Sequence, residues 1–418
     1  MSRSLKVRHE SISHVKIALS QCGYPSQKSL AYDMGLSLTT VSKFLTGKPV
    51  FYGTFEEICR KLNLDWREIS TCDFESAFPK TTINKKSQDW GTAPDVSVFY
   101  NCTQEIAQLE SWILQHHCRL LTILGMGGVG KTILAAKVAK QIQGEFDYVI
   151  WRSLRQAPSF ERIISDLLSF LSNHQETKPD INRLIHYLRT SRCLIILDNL
   201  ETVLDIGHTD KYRPDYEGYG DLIRVLGKTE HKSCVILTTR EKTVEMNFLE
   251  RGNLTVSSLK LFGSFEVAFF ILQSYRLLGT DEHKYKLCNL YANNPLTMRL
   301  LANTIIDLFN EDISKFIEQN NLLFSGVRWL LDQQFHRLSS LEKQVMRWLQ
   351  TNQELTTIGY LQTKIVPTVS QAKLLDALES LMRRSLIETD VHGYTQLPIV
   401  MAYVKELFPE DVGTHEQI

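Results

Sequence analysis

At 418 residues the chain is too long for one ordinary domain, and 43% hydrophobic residues are enough to build several cores. Lys+Arg and Asp+Glu are equal at 47 each, so no whole-molecule field points to nucleic acid or a membrane surface. The eight cysteines are scattered singly, without a C-x-x-C pair, and no apolar run approaches the roughly 18 residues of a membrane span. The expectation is a cytoplasmic chain with reduced thiols and no disulfide, zinc site, leader or membrane partner.

Residues 1–70 read as short helices. "SISHVKIALSQCG" stops at Gly23, "SQKSLAYDMG" opens on Ser26 and stops at Gly35, and "SLTTVSKFLTGK" opens on Ser37. "TFEEICRKLNL" opens on Thr54 with Glu57 three residues on, the pattern of a capping box. Two short helices joined by a Gly-containing turn are the helix-turn-helix signature. Residues 1–50 hold seven Lys/Arg (Arg3, Lys6, Arg8, Lys16, Lys28, Lys43, Lys48) against Glu10 and Asp33, a local excess of five positive charges. Residues 71–97 lack periodicity and are rich in Thr, Ser, Pro and Lys, so they read as a linker.

From about residue 98 the pattern becomes α/β. The runs "RLLTIL", "DYVIWRSL", "CLIILDN", "CVILTTR" and "NLTVSSL" alternate with helical stretches, which predicts a parallel sheet with helices on both faces over 98–258. Between the first run and a helical "TILAAKVAKQI" lies Gly125-Met126-Gly127-Gly128-Val129-Gly130-Lys131-Thr132, followed by Ile133. This is G-x-x-x-x-G-K-[ST] in its strand-loop-helix context. The glycines let backbone N–H groups turn inward on phosphate oxygens, Lys131 reaches the β/γ-phosphates, and the Thr132 hydroxyl is placed for Mg²⁺. The chain therefore contains a nucleotide site.

Asp198 ends "LIILD", where a strand-tip carboxylate serves as an outer ligand for Mg²⁺. Fast P-loop ATPases carry a second acid at the next position. Here it is Asn199, which orients water but cannot take its proton, and Glu201 two residues on is the other acid within range. Slow turnover is the expectation. Arg240 ends "VILTTR", placed to contact a γ-phosphate and separate triphosphate from diphosphate. The tips bearing Gly125, Asp198 and Arg240 are expected to converge.

Beyond about 260 the chain reads as helical. In "NNPLTMRLL" Pro295 begins a helix at a favoured first-turn position, with Leu296 after it. A helical domain is expected over 259–325. Over 326–418 two helices around a hairpin centred on His392-Gly393 give a winged-helix outline.

Together these motifs resemble the NB-ARC group of STAND nucleotide switches, found in plant resistance proteins, the apoptosome ATPase and bacterial signalling proteins. "GMGGVGKT", "FDYVIWRSL", "LIILDN", "VILTTR" and "NNPLTMRLL" occur in the family's order across residues 98–405. The resemblance implies a P-loop NTPase fold that binds ATP or ADP with Mg²⁺ and oligomerises in the ATP state. Lys131, Asp198, Asn199 and Arg240 would be its catalytic positions, Thr132 and Asp198 its metal ligands, and Pro295 would lie by the adenine. The N-terminal segment resembles Cro/repressor-type helix-turn-helix domains, a layout similar to cyanobacterial members that often continue into a propeller or helical-repeat sensor.

Three positions depart from the family pattern. Asn101-Cys102 stand where the family has G-R, Asn293 where it has the Gly of G-x-P-L, and Gln396-Leu397-Pro398 where it has M-H-D. The function expected is a signalling switch, ADP-bound at rest, with slow ATP hydrolysis and a sensor or effector protein acting in trans. The alternative is a nucleotide-regulated transcription factor that contacts DNA through residues 1–70. A P-loop kinase or motor is disfavoured by the missing second acid.

Overall fold

The computed structural model describes residues 4–64, 66–71, 87–97, 102–206, 211–251, 255–319, 323–351, 356–389 and 393–409. The chain divides into two compact units, Met1–Lys85 and Lys86–Ile418.

In the first unit, helices Ile12–Gln21, Gln27–Asp33, Leu38–Leu45 and Tyr52–Lys61 enclose a core of Val15, Leu30, Val41, Phe44, Phe55 and Ile58. Ser26 and Ser37 cap their helices, each accepting at 3.2 Å from the backbone N–H three residues on. The fourth helix corrects the expected start. It begins at Tyr52 directly after a strand, so Thr54 and Glu57 lie inside it and form no capping box. The sequence reading of helices alone is also incomplete. Strand β1 (Ser4–Val7) pairs antiparallel with β2 (Val50–Phe51) and β3 (Ser70–Thr71), runs too short to show alternation.

The second unit is built on a six-stranded, wholly parallel sheet: β4 (Ser87–Asp89), β5 (Leu120–Leu124), β6 (Tyr148–Ser153), β7 (Cys193–Asp198), β8 (Cys234–Thr239) and β9 (Val256–Lys260). Their order across the sheet is β4-β6-β7-β8-β5-β9. Alternate residues serve opposite faces. Ile150, Ile195 and Leu237 pack under helices Phe160–Leu171, Ile181–Thr190 and Gly218–Lys228, whereas Val149, Ile196 and Ile236 meet helix Lys131–Ile142. Burial on both faces is why β5, β7 and β8 read as continuous apolar runs. Part of the expected linker is corrected here: the polar tripeptide Ser87–Asp89 is an edge strand paired with β6.

The order places the C-terminal ends of β7, β8 and β5 side by side, and the site forms there. Helices from Phe265–Ser274 to Gln371–Arg383, the antiparallel pair β10 (Ile387–Thr389) and β11 (Tyr394–Gln396), and helix Pro398–Leu407 share one apolar core from Val267 to Val404. His392, the centre of the expected hairpin, lies outside the described residues. Among the described residues no helix is long and apolar enough to cross a membrane.

Candidate functional site

β5 ends at Leu124, and the chain turns through Gly125, Gly128 and Gly130 at φ of 152°, 82° and 110° before entering helix Lys131–Ile142. Space is as restricted as conformation. A Cβ on Gly125 would lie 2.5 Å from the Leu261 carbonyl oxygen, and one on Gly128 would lie 2.7 Å from Leu296 Cβ. Lys131 is only 7% exposed, and its Nζ donates to the carbonyls of Gly125 at 2.8 Å and Met126 at 2.9 Å. Burial lowers its pKa to about 8, working against the carboxylates of Glu201 and Asp198, which pull it back up, while Arg240 pushes it further down.

On β7, Asp198 is buried, and its Oδ1 accepts from the Thr132 hydroxyl at 2.8 Å and the Thr238 hydroxyl at 2.5 Å. Burial raises its pKa against the opposing effect of both hydroxyls. Thr132 and Asp198 thus present adjacent hard oxygens, a donor set that fits Mg²⁺. They would hold the ion, which would neutralise phosphate charge.

Asn199 adopts φ 67°, its N–H donates to the Thr238 hydroxyl at 3.0 Å, and its side-chain Nδ2 faces Glu201 Oε1 at 3.4 Å. Arg240 pairs with Glu201 through Nε at 3.1 Å and donates from Nη2 to Gln333 Oε1 at 3.2 Å. Its guanidinium also lies over the loop, 3.2 Å from where a Gly127 Cβ would stand.

The helix Pro295–Phe309 closes the other side. Asn294, missed in the sequence, caps it by accepting from the N–H groups of Leu296 and Thr297 at 3.1 and 3.2 Å. Its Nδ2 donates to the Gly127 carbonyl at 2.9 Å, tying this helix to the phosphate loop. A residue before a first-turn Pro signals a cap, but nothing local signals the bond across to Gly127. Asn293, in place of the family's Gly, sits at φ 53°, a left-handed conformation that Asn tolerates.

These groups line a cavity of about 520 Å³, a volume in the range of small-molecule sites. Gly127, Gly128, Gly130, Lys131, Thr132, Asn199, Glu201 and Arg240 contribute its polar wall, and Val129, Ile133, Leu261, Phe262, Val267, Pro295 and Leu296 its apolar part. The arrangement fits a nucleotide, with phosphates on the loop. Cys102 also lines this cavity, and Asn101 lies outside the described residues. Asp198 instead lines an adjoining cavity that it shares with Thr132, Arg240 and Gln333. Gly125 lines none of these cavities, and Met126 faces a separate one of about 210 Å³ with Val129, Lys260, Glu388 and Leu397.

A second feature invisible in the sequence is a buried ion network one residue past Arg240. Glu241 is 1% exposed, and its Oε1 accepts from Arg337 Nε at 2.6 Å and Arg384 Nη1 at 2.8 Å. Arg384 Nε lies 3.5 Å from Glu342, whose two oxygens also accept from the Ser380 hydroxyl and the Ser339 N–H.

Residues 102–269 match the NB-ARC domain family. Over 409 residues the chain is 39% identical to an uncharacterized WD repeat-containing protein of Nostoc sp., covering 90% of this chain and 32% of that protein. It is 30% identical over 196 residues to disease resistance RPP13-like protein 4 of Arabidopsis thaliana, covering 43% of this chain and 22% of that protein. The chain thus spans a third or less of the length of these relatives. The Walker-type ATPase of Pyrococcus abyssi superposes with a TM-score of 0.55 at 13% identity, covering 76% of this chain and 99% of that one, a likeness of fold alone. Residues 102–269, which hold the phosphate loop and five of the six strands of the parallel sheet, carry an NB-ARC domain with a P-loop fold.

Proposed function

We propose that the chain is a nucleotide-operated signalling switch: it holds ADP with Mg²⁺ at rest, exchanges it for ATP, self-associates in the ATP state and resets by slow hydrolysis. In this reading Lys131 binds the phosphates, Thr132 and Asp198 hold Mg²⁺, and Arg240 reports the terminal phosphate. The observation that carries it is the position of Arg240, which lines the same cavity as the phosphate loop and donates to Gln333 of helix Ser325–Phe335. A group at that point senses a γ-phosphate and bears on the C-terminal helices at once. Residues 259–325 then act as the family's helical domain and 326–418 as its winged-helix lid, working in the cytoplasm with a sensor or effector protein in trans. The test is to purify the full chain, denature it and identify the released nucleotide. ADP is expected in the wild type and none in Lys131→Ala, which removes the point charge aimed at the phosphates. Equal occupancy in both would overturn the assignment.

A second reading adds DNA binding by a helix-turn-helix over residues 1–70, giving a nucleotide-regulated transcription factor. Helix Leu38–Leu45 buries Val41, Phe44 and Leu45 and leaves Thr39 and Lys43 exposed. That surface suits phosphate contacts and carries no Arg, Asn or Gln for bidentate base reading.

A further inference from the structure

We infer that Glu201 is the acid this site lacks at position 199, held in check by Arg240 until a terminal phosphate takes the guanidinium away. The inference rests on reading the cavity as an ATP site. The short helical turn Leu200–Val203 folds Glu201 back into the cavity lined by Lys131, Thr132 and Arg240. There it is 5% exposed. Its Oε1 is taken by Arg240 Nε at 3.1 Å and faces Asn199 Nδ2 at 3.4 Å. Its Oε2 is sealed from solvent without a hydrogen-bond partner among the described residues. A buried carboxylate oxygen left unpaired beside a phosphate loop is a vacant acceptor, and a water molecule can supply the missing donor once the pair with Arg240 opens.

The side chain at 199 points the same way. Its amide is turned to Glu201, so Asn199 is a positioning residue for that carboxylate. A γ-phosphate and Glu201 compete for one guanidinium, since both are anions within its reach. With ADP the pair stays closed. With ATP the guanidinium shifts to the phosphate, and the Glu201 carboxylate is free to hold a water in line with the terminal phosphorus. The water oxygen then bonds to that phosphorus and its proton passes to Glu201. The bond to the bridging oxygen breaks with its electron pair leaving on ADP, and inorganic phosphate is released. Glu201 therefore sets both the preference between the two nucleotides and the hydrolysis rate.

The experiment measures equilibrium binding of ADP and of a non-hydrolysable ATP analogue, and single-turnover ATP hydrolysis, in the full chain and in Glu201→Gln. The glutamine keeps the shape and releases Arg240 from an anion. The expected result is an analogue-to-ADP affinity ratio raised by about fivefold, because the competitor for the guanidinium is gone. Hydrolysis should fall by about tenfold or more, because the proton acceptor is gone. A purely structural role would weaken both nucleotides alike and leave the ratio at the wild-type value. That ratio, or hydrolysis within about twofold of wild type, would overturn the inference. If Glu201→Gln does not fold, Glu201→Asp retracts the carboxylate by one methylene. A raised ratio with slowed hydrolysis then supports the inference, and wild-type values for both overturn it. A wild-type chain that binds neither nucleotide would instead overturn the reading of the cavity itself, and this inference with it.

Discussion

Replacing Glu241 by alanine removes the carboxylate oxygen shared by Arg337 at 2.6 Å and Arg384 at 2.8 Å. Arg384 is 4% exposed, so its charge cannot turn to water. Its remaining anion is Glu342, 3.5 Å away through Nε. Breaking a buried pair by deleting one partner costs about 3–5 kcal/mol, mostly through the uncompensated charge left behind. The surviving contact with Glu342 places the cost near the lower end, about 3 kcal/mol. Because Glu241 follows Arg240 and Arg384 follows helix Gln371–Arg383, the loss should fall on the hold between the nucleotide domain and the C-terminal helices. Urea unfolding of the full chain measures it. Adding Arg384→Met to the same chain should recover part of the stability, since an apolar side chain of similar volume needs no partner, while Glu342 loses its cation and keeps only the Ser339 and Ser380 donors. A Glu241→Ala chain within about 0.5 kcal/mol of wild type, or a double variant no more stable than the single one, would refute the reasoning.

Three other outcomes follow from the site and the first unit. Burial holds Lys131 near 8 in the nucleotide-free site, and phosphate oxygens favour its charged form, so affinity should be level below that pH and fall as pH rises through it. Between pH 7 and 9 the charged fraction drops about tenfold, and titration calorimetry in two buffers should show weaker ADP binding with proton uptake at the higher pH. Leu397→His puts a donor where the family has one, beside Met126 and Val129 of the loop. A hydrogen bond to a charged group is worth roughly 1.5–3 kcal/mol, so fluorescent ADP should leave about 10- to 100-fold more slowly in stopped flow. If residues 1–70 contact DNA, duplex binding by the full chain should weaken with salt at a slope of roughly −3, from three or four phosphate contacts.

The parts legible in the sequence were those whose cause is local. The loop could be read because glycines at φ 152°, 82° and 110° leave no alternative residue, and because Lys131 and Thr132 follow at a fixed spacing. β5, β7 and β8 stand out because strands covered on both faces are near-continuous apolar runs. β4 does not, since a polar edge tripeptide is a strand only through its pairing with β6. The Thr54 capping box failed because the chain enters that helix straight from β2, and the strand fixes the first turn at Tyr52. The bond from Asn294 to Gly127 spans 167 positions and that from Arg384 to Glu241 spans 143, so neither leaves a local pattern. Glu201 was visible as an acid near the strand tip, but its pairing with Arg240 depends on how β7 and β8 lie side by side.

The central claim is that the identity of the bound nucleotide sets the state of the whole chain. Light scattering on the 418-residue chain, first with ADP and then with a non-hydrolysable ATP analogue, both with Mg²⁺, tests it most directly. The account predicts the mass of one chain with ADP and of a multiple of chains with the analogue. The same mass with both nucleotides would contradict it.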